Sequence, residues 1–125
     1  MKPPSSSSDG ERTRREVLGD EHVDRAQARA TEFGEPFQDL ITRFAWGEVW
    51  SRPGLDRRQR SMITLATLTA LRAEGELELH VRAALRNGLT PEEIREVLIH
   101  TAVYAGVPAA NTAFAIAQRV LEERG

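Results

Sequence analysis

The sequence predicts an all-α protein of about six to seven helices. Apolar residues recur at steps of three and four in several segments, no segment alternates apolar and polar residues over the length of a strand, and glycines and prolines punctuate the chain at helix-like intervals.

The elements follow in order. Met1 to Gly10 contains Pro3, Pro4 and Ser5 to Ser8 and no apolar run, so residues 1–11 are expected to form a disordered tail, not a signal peptide, ahead of a single domain over 12–125. A short helix near Arg12 to Leu18 ends at Gly19, and a second, from about His22 to Phe33, is stopped by Gly34 and Pro36. The third starts near Pro36 and aligns Phe37, Leu40, Ile41, Phe44 and Glu48 on one face, which is read as inward. It ends in the turn Ser51 to Gly54. The fourth, about Leu55 to Ala73, opens with Asp56, Arg57, Arg58 and Arg60 and then carries no charge from Ser61 to Leu71. A helix neutral on every side needs cover on every side, and in so short a chain part of that cover is expected from another subunit. The fifth runs from about Glu76 to Asn87 and closes at Gly88. Thr90, Pro91 and Glu93 then form a capping-box helix start, followed by the stripe Ile94, Val97, Leu98, Thr101, Ala102 and Ala105. A last helix follows Pro108 to about Glu123. Thr101 to Gln118 carries no formal charge, and its Gly, Pro and Asn make it a poor membrane span, so it is read as buried protein interior.

Composition narrows the chemistry. With 125 residues, 40% hydrophobic, 29% charged and a net charge of −2, the chain fits one soluble domain with no general attraction to nucleic acid and is placed in the cytoplasm. There is no Cys, which excludes disulfides, thiolate metal sites, Fe–S clusters and peroxidatic thiols together. Among the 17 Lys and Arg residues only Lys2 is a lysine, so an internal Schiff base or pyridoxal phosphate linkage has no candidate. His22, His80 and His100 show no metal-ligand spacing and no phosphate-cradling Gly-rich loop is present, so no metal, nucleotide or other cofactor is expected.

Few residues remain to carry chemistry. His80 lies in the inward stripe of Leu77, Val81 and Ala84, so its imidazole faces the core or a pocket in it; a core histidine satisfied by one hydrogen bond is the plain alternative. Glu48 poses the same question as a carboxylate, which if buried must be paired or protonated, with a structural ion pair to an Arg as the alternative. Trp46 and Trp50 flank it and either wall a pocket or are simply core. Arg43, Arg52, Arg57, Arg58 and Arg60 cluster around the turn between the third and fourth helices, a grouping suited to grip carboxylates; for Arg57 and Arg58, beside Asp56, a solvated helix start is as good a reading.

Three runs carry a resemblance: Trp46-Gly47-Glu48-Val49-Trp50-Ser51-Arg52-Pro53-Gly54-Leu55, Leu79-His80-Val81-Arg82-Ala83-Ala84-Leu85-Arg86-Asn87-Gly88, and Tyr104-Ala105-Gly106-Val107-Pro108-Ala109-Ala110-Asn111. With Val17-Leu18-Gly19-Asp20 and Thr31-Glu32-Phe33, they resemble the carboxymuconolactone decarboxylase family from about Arg15 to Leu121. The wider superfamily includes AhpD-type alkylhydroperoxidases, which work through Cys-x-x-Cys-x-x-x-His preceded by a Glu. Anchored on His80, the thiol positions fall on Ala73 and Glu76 and the Glu position near Ser61, so that redox chemistry is absent. Two positions differ from many relatives, His100 where Gln is common and Ala105 where Cys is common, which takes catalytic weight off His100.

The resemblance implies an AhpD-like helical subunit in a ring-like homo-oligomer, a hexamer or trimer. It further implies cofactor-independent decarboxylation of 4-carboxymuconolactone to β-ketoadipate enol-lactone in protocatechuate catabolism. On that reading the partner is a small anionic lactone. His80 is the proton donor or oxyanion partner, Glu48 its carboxylate partner or the general acid, and Arg52 with Arg43 or Arg60 clamps substrate, beside Trp46, Trp50, Tyr104 and Asn111. The competing readings are another lactone- or carbonyl-handling enzyme on the same fold, and a non-catalytic helical assembly protein.

Overall fold

The computed structural model describes residues 3–124, with side chains described from Asp9 onward. Among the described residues there are seven α-helices, one π-helix and no strand, the all-α class that the periodicity predicts. The chain divides into two compact units, Met1–Asp56 and Arg57–Gly125.

The first unit holds α1 (Pro3–Leu18), α2 (Asp20–Ala28), α3 (Glu35–Ile41) and the π-helix (Thr42–Val49). Helix α1 begins ahead of the expected start near Arg12, so residues read as a tail are helical; Met1 and Lys2 lie outside the described residues. The reason is a stripe without large apolar side chains. Gly10, Thr13 and Val17 are buried at steps of three and four, and the face packs because it is small. A Cβ added at Gly10 would stand 2.1 Å from the Thr42 carbonyl oxygen and 3.2 Å from the Gly47 nitrogen, so α1 crosses the π-helix backbone to backbone.

Gly19 then turns the chain at φ 94, a conformation open chiefly to glycine. The Arg15 guanidinium ties α1 to α2, at 3.1 Å from Asp20 and 2.9 Å from Asp24, while its Nε reaches Glu11 at 3.2 Å. Helix α2 stops at Ala28 rather than near Phe33. The residues after it form a turn in which the Gly34 N–H donates to the Thr31 hydroxyl at 3.2 Å.

The second unit holds α4 (Arg57–Ala70), α5 (Glu74–Arg86), α6 (Pro91–Ala105) and α7 (Val107–Arg124). Leu65 of α4, Leu77, Val81 and Ala84 of α5, Ile94 and Leu98 of α6, and Ala113, Ile116, Ala117 and Val120 of α7 form one core with Leu89. Four alanines are buried on α7, and such small side chains let its neighbours approach closely. Helix α4 ends with Ala73 N–H donating to the Leu68 carbonyl at 3.0 Å and Arg72 at φ 60, a left-handed cap built without the usual glycine.

The α5–α6 turn is the best-specified joint. Gly88 takes φ +102; Thr90 Oγ1 accepts from the Glu93 N–H at 3.1 Å, and Glu93 Oε1 accepts from the Thr90 N–H at 2.9 Å, completing the expected capping box. Arg58, on the first turn of α4, donates to both the Gly88 carbonyl and the Glu93 carboxylate, and Asn87 Nδ2 donates to Ser61 Oγ at 3.0 Å. The start of α4 is thereby fastened to the end of α5 and the start of α6.

Two glycine variants separate a structural glycine from a tolerant one. Gly10→Ala forces a methyl against a carbonyl oxygen and is expected to cost about 1–3 kcal/mol in urea unfolding. Gly75→Ala, on a helical position with open space around it, should be neutral or stabilising by up to about 1 kcal/mol. Equal effects at the two sites would contradict the close crossing.

Candidate active site

The candidate residues divide between the units: Arg43, Trp46, Glu48, Trp50 and Arg52 in the first, Arg60, His80, Tyr104 and Asn111 in the second.

In the first unit the π-helix carries most of them. π-Helical turns are rare and frequently mark functional sites, because the i→i+5 hydrogen bond offsets side chains from α-helical register. Here the Trp50 N–H donates to the Ala45 carbonyl, five residues back, at 2.9 Å. Trp46 is buried, and its ring lies 5.3 Å from that of Trp50, tilted by 32°. The Ser51 hydroxyl donates to the Gly47 carbonyl at 2.6 Å.

Glu48 departs from expectation. Its side chain is exposed, and so are Phe37, Leu40 and Phe44 of the same stripe. The side of the π-helix that packs within the unit is the one that meets α1 at Gly10, with Trp46 buried, so the phenylalanine stripe is left outside. Neither burial nor an ion pair to an Arg holds Glu48 among the described residues. Arg43 and Arg52 are exposed.

In the second unit His80 is buried, 9% exposed, between buried Leu77, Val81 and Ala84 on α5, as its stripe predicts. Arg60 is half-buried with its Nε enclosed, and its carbonyl accepts from the Thr64 hydroxyl at 2.8 Å. Tyr104 and Asn111 are exposed, as are Val103, Val107 and Gln118. The uncharged Thr101 to Gln118 segment is thus only partly interior. The His100 and Tyr104 rings are 5.3 Å apart.

Two of the cavities are edged by carboxylates. One of about 280 Å³ in the first unit is lined by Arg14 together with Glu11, Glu35 and Asp39. Burial, and then the neighbouring Arg15, lower the Arg14 pKa. Three carboxylates around one arginine do not suit a dianion. A groove of about 510 Å³ in the second unit has walls of Met62, Ile63, Ala66, Val97 and His100 with Glu92 and Glu96 at its edge, again the wrong sign for carboxylates. His80 lines neither. Among the described residues no group of three or more His, Asp and Glu could hold a metal ion.

Sequence reasoning undervalued Arg58, weighed as a possible solvated helix start. Its signal lay elsewhere in the chain, in a capping-box Glu93 and a C-terminal Gly88 that both offer acceptors. The π-helix had a fainter signal, Gly47 between two tryptophans four apart.

Helices throughout the described residues, and neither thiol nor internal lysine in the sequence, define a helical protein without thiol or lysine Schiff-base chemistry. Residues 35–119 match the carboxymuconolactone decarboxylase family, and the chain belongs to it. It is 48% identical over 116 residues to a 4-carboxymuconolactone decarboxylase of Acinetobacter baylyi, covering 93% of this chain and 87% of that protein. It is 47% identical over 115 residues to a nitrosuccinic acid decarboxylase of Metarhizium robertsii, covering 92% of this chain and 80% of the relative. Over 39 residues, 31% of this chain and 81% of the relative, it is 49% identical to a 4-carboxymuconolactone decarboxylase of Pseudomonas putida.

The α5–α6 joint predicts a pH dependence. Hydrogen bonds from Arg58 and then from the Thr90 backbone hold the Glu93 carboxyl below its ordinary range. A depressed carboxyl contributes stability that is present above its unfolded pKa and is lost as pH falls through its folded pKa. Glu93→Gln should therefore lower Tm at neutral pH, and the gap from wild type should close in acid below the ordinary glutamate range. A gap that stays constant with pH would count against a role for Glu93 charge.

Proposed function

We propose that the protein is a cofactor-independent carboxy-lyase that converts 4-carboxymuconolactone to β-ketoadipate enol-lactone and CO2 in protocatechuate breakdown. The observation that carries this reading is the 48% identity to the Acinetobacter baylyi enzyme across nearly the whole chain. The residue inventory supports it, because the substrate needs little from the protein. The departing carboxylate sits on a ring carbon conjugated through a double bond to the lactone carbonyl. When the C–C bond breaks, its electron pair moves through that double bond to the carbonyl oxygen, and CO2 leaves. A proton then goes to the carbon alpha to the carbonyl. The protein must hold two carboxylates, stabilise an oxyanion and supply one proton.

His80, buried and ionisable, is assigned the proton or the oxyanion, and Glu48 the proton balance. Arg52 and Arg60 are assigned the carboxylates. Arg43, Glu48, Arg52, Tyr104 and Asn111 are all exposed, so exposure ranks none of them above the others. No helix among the described residues is long and apolar enough to cross a membrane, which supports a cytoplasmic placement.

The Metarhizium robertsii relative favours a second reading, a nitrosuccinate decarboxylase. Nitrosuccinate is also a dicarboxylate with its own electron sink, the nitro group beside one carboxylate, so the same inventory serves both. CO2 release measured on each substrate with purified protein separates them. Turnover of the lactone and not of nitrosuccinate is expected; the reverse would establish the second reading.

Two further outcomes are expected. Exhaustive EDTA dialysis should leave turnover unchanged, whereas loss restored by one metal would overturn a cofactor-free mechanism. His80→Gln and Glu48→Gln should each lower turnover by about 10²- to 10⁴-fold, with the double variant little worse than the worse single. Arg52→Ala should raise KM more than it lowers kcat. Near-wild-type turnover in both Gln variants would move the chemistry to other residues.

A further inference from the structure

Where α5 and α7 pack together in the second unit, arginines gather around a cleft. Arg82, Leu85 and Arg86 of α5 and Val120, Glu123 and Arg124 of α7 line a groove of about 430 Å³. Val120 is buried and Leu85 half-buried, so the floor is apolar, while the four charged side chains stand exposed around it. Small-molecule sites are commonly clefts of this size. The groove and His80 take different sides of α5: Arg82 follows His80 by two residues, about 200° around a helix of 3.6 residues per turn.

The charges on the rim are unequal. Among the lining residues three guanidiniums meet one carboxylate. Arg82 is matched within the structure, with its Nη2 at 2.9 Å from Glu78 and 2.9 Å from Glu123, and this pairing fastens α5 to α7. Arg86 and Arg124 stand in the last turns of α5 and α7, where a basic residue also complements the negative end of its own helix. Helix-end compensation gives no reason for both guanidiniums to border one cleft floored by Leu85 and Val120, where each adds to the other's positive field. Arg86 keeps a further interaction of its own, and a guanidinium has five N–H donors, enough for a second acceptor.

We propose that this α5–α7 groove binds a monoanionic carboxylate with an apolar body, its carboxylate between Arg86 and Arg124 and its aryl or alkyl body over Leu85 and Val120. The planar fork of arginine fits a carboxylate through two parallel N–H···O bonds. The apolar floor gains from being covered by a ring or alkyl group. Glu123 limits the charge of the ligand: held on the rim by Arg82, at 3.0 Å and 2.9 Å, it repels a phosphate or a second carboxylate brought near it. The C-terminal ends of α5 and α7 also repel anions, so it is the guanidiniums that hold the ligand. A site of this kind differs from the two cavities edged by carboxylates and from one that must hold two carboxylates at once.

Calorimetric titration of the full chain with benzoate as the probe should show saturable binding. Benzamide, which lacks the charge, and inorganic phosphate, which lacks the apolar body, should each bind at least about 10-fold more weakly, the loss of one charge-assisted contact or of the covered floor. Arg86→Gln and Arg124→Gln should each weaken benzoate at least about 10-fold. Both side chains are exposed, so circular dichroism should show both variants folded, and Arg124 at the end of α7 can be replaced without touching the core. Arg52→Ala, in the first unit, should leave benzoate affinity unchanged. No saturable benzoate binding would overturn the proposal, as would binding that survives both Gln variants, binding that is lost in Arg52→Ala, or phosphate binding as tightly as benzoate.

Discussion

One guanidinium sets the geometry of the second unit. Arg58 leaves the first turn of α4 and donates to the carbonyl that ends α5 and to the carboxylate that begins α6. Carbonyls at a helix end lack intrahelical partners, and Arg58 supplies one where the chain reverses. The same carboxylate is committed to the capping box, so Glu93 fixes the start of α6 to its own backbone and to α4 at once. The constraint propagates. With α4, α5 and α6 joined at one corner, Leu65, Leu77, Val81, Ile94 and Leu98 converge, and α7 closes over them with alanines. His80 sits on the wall so formed, one turn from Leu77 and one from Ala84.

That placement bears on chemistry. At 9% exposed, the His80 imidazole is held on the stripe of Leu77, Val81 and Ala84 and is largely screened from water. The absence of Cys and of internal Lys removes the other ways of holding an electron pair. The family membership and the residue inventory therefore point in one direction from independent observations.

The parts of the structure that were legible in the sequence are those fixed by local stereochemistry. Gly19 and Gly88 end helices at positive φ, Thr90-Pro91-x-Glu93 starts one, and the 77, 80, 81, 84 spacing buries His80. What was not legible depended on a partner distant in sequence or on a change of helical register. Gly10 reads as a tail residue among Pro, Ser and Asp, and only the Thr42 carbonyl against it makes it structural. Glu48 was placed inward by assuming 3.6 residues per turn across residues that adopt a π-helix, and by assuming that the phenylalanine stripe faced the interior of the unit. Both assumptions are reasonable for an isolated amphipathic helix. Neither holds where α1 has already claimed the opposite side.

Helix α4 shows most clearly what a neutral sequence does and does not say. Ser61, Leu65 and Thr69 are buried at steps of four, and the Thr69 hydroxyl is satisfied by the Leu65 carbonyl at 2.8 Å. Between them Ile63, Thr67 and Leu71 are exposed, on a helix with no charge to hold that side in water. Absence of charge records that no side of the helix is adapted to solvent; it does not record which neighbour removes the solvent. Four helices of this length can cover one side of α4. The same holds for α6, whose Ile94, Leu98 and Thr101 are buried while Ile99 and Val103 are not. A four-helix unit with uncharged helices on two sides has specified more cover than that unit's own residues provide, and the surplus is where contact with a further surface is energetically favoured.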